Sequence, residues 1–163
     1  MKVLSILQPW ASLCVNTDTK TGLAYKRIET RSWNTKYRGE LLIHASASKK
    51  MLHLMANPFF NECLPVQWID DVATGETICN PLKEQMALGS IIGKVTLVMT
   101  LPSEKIKAGE HFFWGRQKWE FTEQELAFGD YSPGRYGWLL SDPVLFDEPI
   151  PAKGKLGLWE YDY

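Results

Sequence analysis

The apolar positions of this chain fall into short runs broken by Gly, Pro, Asn and charged residues, and the period of each run names its element. KVLSILQPWASLCVN opens with a short apolar run that reads as a first strand. Gln8-Pro9 then opens a short helix, with Pro9 at the first position, where a missing N–H costs nothing. TDTKTGL at 17–23 is polar and reads as a loop, while KRIETRSW at 26–33 and ELLIHASA at 40–47 read as consecutive strands joined by NTKYRG. KKMLHLMANPFF at 49–60 carries apolar residues at helical spacing and ends near Asn57-Pro58. Residues 61–86 have no period, and the segment around 57–86 reads as an irregular surface insertion.

The run GSIIGKVTLVMTL at 89–101 is rich in β-branched residues and predicts a strand. Residues 102–134 alternate short amphipathic pieces with turns, and RYGWLLSDPVLF at 135–146 and GKLGLWEY at 154–161 read as the last strands. Five or six strands, two small helices and Gly/Pro turns predict an α+β fold, a small, partly open β-barrel with α decoration. No repeat, low-complexity tract or linker divides residues 1–163, so one domain is expected. Ile28 and Ile43 are expected to be buried together. Of the neighbours Trp138 and Leu139, one is expected in the interior and the other at a cleft or in solvent.

Composition adds little to this picture until charge is resolved along the chain. Hydrophobic residues make up 45% and charged residues 23%, which excludes global disorder. Seven Trp are more than a small core needs, so some are expected to line a pocket. No apolar run spans a membrane, and MKVLSILQPW lacks the core of a signal peptide, so a soluble, cytoplasmic protein is expected. Cys14, Cys63 and Cys79 are odd in number and scattered, suggesting neither a disulfide framework nor a zinc site. Net charge is −1, yet residues 26–50 hold seven bases against two acids, which points to an anionic ligand bound in one place or to a solvated basic face.

Within that segment ideal alternation puts Arg27, Glu29, Arg31 and Trp33 on one face of a strand and Ile28 and Thr30 on the other; Lys26 stands at the loop junction, where alternation does not assign a side. Two guanidinium groups around a carboxylate, beside an indole, suit a phosphate and a stacked base, or equally a ladder of salt bridges. In LLIHASA, His44 and Ser46 share a side, as a catalytic pair or as satisfied semi-buried residues. Arg135, Tyr136 and Trp138 form a pocket rim or follow an ordinary turn into the core. Gln8 and Trp10 offer an amide and a ring to a planar ligand, or cap and plug a helix. No GxSxG, Gly-rich phosphate loop or metal-ligand spacing occurs, so no metal and no cofactor is expected.

LSILQPWASL, KRIETRSW, YRGELLIHAS and GRYGWLLSDP with its later LWEY together resemble the ASCH domain, named for activating signal cointegrator-1 homology, of the PUA-like superfamily. The resemblance covers nearly the whole chain apart from the loop at 17–23 and the insertion. It implies a PUA-like barrel with short helices flanking a cleft, and an association with RNA or DNA. It also places the lysine, acid and arginine of the family's charged element on Lys26, Glu29 and Arg31. One bacterial branch removes the acetyl group of N4-acetylcytidine with a lysine, a threonine three residues later and a distant glutamate. Here the lysine is Lys26, the threonine position holds Glu29, and the glutamate falls on Glu123 or Glu125.

The expected function is therefore a cleft that binds RNA, single-stranded DNA or a nucleotide through Gln8, Trp10, Lys26, Glu29, Arg31, Trp33, His44, Ser46, Arg135 and Trp138. The alternative is a small hydrolase at the same cleft, with Lys26 and Glu29 catalytic. A third reading is a module that takes an acidic peptide.

Overall fold

The structure is a computed structural model that describes residues 1–64, 86–108 and 118–163 in full, and the strand backbone alone at 66–71, 76–81, 112–114 and 117. In chain order the first half contains β1 (Lys2–Ile6), α1 (Trp10–Val15), β2 (Ile28–Arg31), β3 (Gly39–Ala45), a 3-10 helix (Leu52–Ala56), α2 (Pro58–Cys63), β4 (Val66–Asp71) and β5 (Glu76–Pro81). The second half contains β6 (Ser90–Pro102), α3 (Ser103–Lys107), β7 (Phe112–Trp114), β8 (Gln117–Trp119), α4 (Glu123–Phe128), β9 (Tyr136–Pro151) and β10 (Leu158–Glu160).

Six strands form one mixed sheet in the order β10-β1-β3-β6-β9-β2, in which β1 and β3 run parallel and the other pairs antiparallel. The sheet curls into a partly open barrel. Three strands separate β2 from β1 in the order, yet Arg31 Nη2 on β2 donates to the Ser5 carbonyl on β1 at 2.9 Å. Helix α1 packs against β3, β6 and β9, and its Ala11, Cys14 and Val15 join Leu4, Ile6, Leu41, Ile43 and Trp138 in the main core. Alternation along β3 sends Leu42 to the other face, where it meets Val3, Ile91 and Trp159. Both faces of β3 are thus covered, which is why its residues 41–45 are all buried.

Several sequence-based expectations change. The helical run expected to end at Asn57-Pro58 does end at Asn57, but as a 3-10 helix, and a further helix α2 begins at Pro58, with the Asn57 side chain accepting from the Phe59 amide as its cap. The stretch expected to be irregular at 61–86 contains the β4–β5 hairpin; its placement on the surface lies outside the described residues. Ile28 and Ile43 are both buried, but in different clusters: Ile28 packs with Ile106, Trp119 and Leu139 under α3. Trp138 and Leu139 do point apart, into different clusters, and both are fully buried because the curled sheet is covered on each side.

Candidate functional site

The strand β2 lies at the edge of the sheet, and its ladder uses one side of its backbone. Leu140 N donates to Arg27 O and the register pairs Ile28 with Leu139, so alternation turns the backbone groups of Ile28 and Thr30 outward. Backbone groups at an edge need partners. Side chains supply them: Lys26 Nζ donates to Ile28 O, and Arg135 Nη2 donates to Thr30 O at 3.4 Å. One residue upstream, Glu125 Oε1 accepts from Arg27 N at 2.6 Å. Glu125 reaches this place from α4, whose first turn is fixed by the Thr122 hydroxyl accepting from Glu125 N.

The charged groups of the strand form a chain. Lys26 Nζ stands 3.4 Å from Glu29 Oε2, and Arg31 Nε stands 3.1 Å from Glu29 Oε1, an ion pair rather than a directed hydrogen bond. Lys26 is fully buried and Glu29 nearly so, a placement that ionised groups tolerate only with opposite charges at hand. The carboxyl of Glu125 is buried too. Burial pushes its pKa up, against the lowering pull of Lys26 and of the Arg27 and Ile28 amides, and its Oε2 has no hydrogen-bond partner among the described residues. Burial likewise pushes up the phenol of Tyr131, with Glu125 and Glu29 adding to the effect, and its hydroxyl is also unpartnered.

Only part of this cluster meets solvent. A cleft of about 360 Å³ opens beside it, walled by Trp10, Glu29, Thr30, Arg31, Asp130 and Arg135. Arg31 and Arg135 keep 23% and 26% of their side chains exposed. Trp10 is half-buried, edge-on to Phe60, with its indole N–H lacking a partner among the described residues. Arg135 is steadied by the Asp130 carbonyl at 3.0 Å and an ion pair to the Asp130 carboxylate at 3.3 Å. A larger opening of about 490 Å³ lies against Tyr25, Arg27, Lys118 and Glu125. There Arg27 lies over the Trp119 ring at 5.0 Å and Lys118 pairs with Glu120, while the smaller cleft carries a ring and two guanidinium groups, each paired with an acid and partly exposed.

The structure brings together Trp10, Glu29, Arg31 and Arg135 from the residues named on sequence grounds, with Lys26 directly behind them. The other five lie elsewhere. The Gln8 amide is used within the fold: its Nε2 donates to Ala87 O at 3.0 Å and its Oε1 accepts from Ser12 N at 3.1 Å, which fixes the start of α1. Trp33 packs edge-on against Trp138 at 4.7 Å, and the Trp138 indole N–H donates to the Trp33 carbonyl, so both rings belong to the core. His44 sits on the opposite face of the sheet, its Nε2 at 3.0 Å from Ala152 O and its ring edge-on to Trp159. Ser46 lies beside it, lining another cavity. Arg27 lies over the Trp119 ring, its Nη1 donating to the Lys118 carbonyl at 2.9 Å. Thr30, Asp130 and Tyr131 escaped sequence reasoning, since no motif joins them; of the two glutamates considered, Glu125 is the one at the cluster. Among the described residues no group of three metal-binding side chains occurs, and no helix is long and apolar enough to cross a membrane.

No family model matches the chain. Activating signal cointegrator 1 of Homo sapiens is 28% identical over 159 residues, which is 98% of this chain and 22% of that protein. The Mus musculus protein of the same name is 27% identical over the same share. The chain therefore spans about a fifth of the length of these curated relatives. The crystal structure of a ZmASCH mutant protein from Zymomonas mobilis aligns with 91% of this chain and 73% of that one, at 17% identity and a TM-score of 0.43, too remote a likeness to bear on the site. Similarity over 98% of the chain to activating signal cointegrator 1 supports the resemblance to the ASCH domain that the QPWASL and KRIETRSW motifs carry.

Proposed function

We propose that the cleft binds one nucleotide unit of RNA or single-stranded DNA. The observation that supports this reading is the convergence of Arg31, Arg135 and the half-buried Trp10 ring on one cleft of about 360 Å³. The guanidinium groups suit phosphate, the ring suits a base, and Glu29 and Thr30 offer hydrogen bonds to base or sugar. The nearly neutral chain makes the binding local rather than a bulk electrostatic coat. Arg31→Ala and Arg135→Ala should each weaken binding of a short single-stranded oligonucleotide roughly tenfold or more. Each should also flatten the salt dependence by about 0.7 for every phosphate that the variant no longer neutralises. Anisotropy titrations at several salt concentrations measure both. Unchanged affinity in folded variants, judged against a Lys105→Ala control, rejects the assignment.

A second reading has its own support. The Glu29 carboxylate reaches the cleft from a buried cluster with Lys26 and Glu125, and clustered titratable groups beside a cleft suit acid–base chemistry. In a hydrolase Glu29 would activate water, with the Lys26 ammonium 3.4 Å from its carboxylate. Glu29→Gln would then reduce turnover of an N4-acylated cytidine or an RNA by about 10²–10⁴ with binding kept. Absence of wild-type turnover leaves the binding role alone.

A further inference from the structure

On the face of the sheet opposite α1 there is another cavity, of about 450 Å³, where β1, β3 and β9 end. Ser5, His44, Ser46, Lys153, Gly154 and Lys155 line it, and no acidic side chain does. The polar groups are mostly donors. Ser5 Oγ accepts from the Trp159 indole at 3.1 Å and Ser46 Oγ accepts from Ser48 N, so neither of these bonds uses the hydroxyl's own hydrogen. Lys153 and Lys155 are exposed, the latter with its ammonium 5.5 Å from the Trp159 ring centre. Exposed Lys49 and Lys50 follow Ser46 closely in the chain.

His44 is 1% exposed, with Nε2 on the Ala152 carbonyl and Nδ1 without a partner among the described residues. The chain crosses this site closely at Gly154, where a Cβ would stand 2.6 Å from His44 Cε1, 3.0 Å from Nδ1 and 3.1 Å from Ser5 Oγ. The approach needs glycine.

The cavity and the cleft are neighbours. Ile6 lines the cleft and Ser5 the cavity, on opposite faces of β1, and Arg31 of the cleft donates to the Ser5 carbonyl. We propose that this cavity is a phosphate subsite, taking a backbone phosphate of the same single strand whose nucleotide occupies the cleft. Lys153 and Lys155 neutralise the phosphate while Ser5 and Ser46 donate to its oxygens, and the strand passes over the end of β1. This subsite rests on the nucleotide-binding reading of the cleft.

The test uses the full chain and three probes: inorganic phosphate, a mononucleotide and an octanucleotide. The Trp159 indole N–H, bonded to Ser5 Oγ, is followed by NMR together with octanucleotide affinity. The octanucleotide is expected to shift the indole signal. Lys153→Ala with Lys155→Ala is expected to abolish that shift and to lower octanucleotide affinity at least tenfold. Mononucleotide affinity should stay unchanged, because the mononucleotide occupies only the cleft. Ser46→Ala should give a smaller loss of the same kind. Octanucleotide affinity indifferent to the lysine changes overturns the subsite, including where inorganic phosphate alone shifts the indole. An unchanged mononucleotide affinity in Arg31→Ala instead overturns the cleft reading, so the two failures are told apart.

Discussion

Glu125 illustrates how much one residue's surroundings settle its chemistry. Its carboxyl has left water, one oxygen holds the Arg27 amide, the other has no partner, and burial raises its pKa above the ordinary 4.5. A carboxyl with a raised folded pKa retains its proton in the folded state over a range where the unfolded chain has lost it. Its contribution to stability is therefore complete below about the ordinary value and is lost as pH rises through the folded value. Comparing urea unfolding of wild type and Glu125→Gln from pH 4 to 8 should show wild type losing ground to the variant as pH rises. The slope should be no steeper than about 1.4 kcal/mol per pH unit, the limit for one proton. Parallel profiles would show that Lys26 fully offsets the burial. His44 illustrates the reverse lesson: its side of the strand follows from alternation, but the neighbours it meets come from the segment after β9 and from β10.

Among the elements, β9 is the one that positions the cleft, because β2 is held on it and α3 packs where the two meet. Gly137 makes that packing possible: a Cβ there would stand 2.2 Å from Ile106 Cδ1 and 2.9 Å from Ile28 Cγ2. Gly137→Ala should therefore cost about 1–3 kcal/mol in urea unfolding, the usual range for overpacking. Ile106→Val, which removes the clashing Cδ1, should recover much of that loss in the double variant. Gly93 faces a different obstacle, the Val144 carbonyl oxygen at 2.2 Å, at a register shift between β6 and β9. Gly93→Ala should be at least as costly, and trimming Val15, the other contact at 3.0 Å, should not rescue it, because backbone cannot be cut away. Rescue of both variants alike by side-chain trimming would contradict this account.

For the molecule as a whole, the segment with seven bases does not become a single basic face. Lys26 is buried on Glu29, Arg31 is paired with the same acid, Arg27 lies over Trp119, and Arg38 is tied to the carbonyls of Thr35 and Tyr37. The cations that the two proposals assign to a strand are Arg31 and Arg135, partly exposed at the cleft, and Lys153 and Lys155 at the proposed subsite. Four phosphate pairings at about 0.7 each limit the slope of log K against log salt to about −3 for single strands. Anisotropy titrations from low to moderate salt should give that slope or a shallower one. A steeper slope would mean that exposed lysines elsewhere carry the binding.

Local physics made much of this legible in advance. Alternation and β-branched runs found β1, β2, β3, β6, β9 and β10, and the QPWASL and KRIETRSW motifs led to the walls of the cleft and to the resemblance to the ASCH domain. Local pattern also had limits: a new helix, capped by Asn57, begins where the periodic run ends, and the β4–β5 hairpin formed in a stretch without a clear period. Assignment to a site was a separate matter. Gln8, Trp33, His44, Ser46 and Trp138 carry suitable groups, yet Gln8 bonds Ala87, Trp33 meets Trp138, and His44 and Ser46 face the other side of the sheet. What chemistry a residue type offers was determined by the sequence. Which groups share a cleft was decided by the curl of the sheet, which brings Arg31 to Ser5 across three intervening strands and Glu125 to Arg27 across ninety-eight residues, distances at which sequence spacing carries no information about direction.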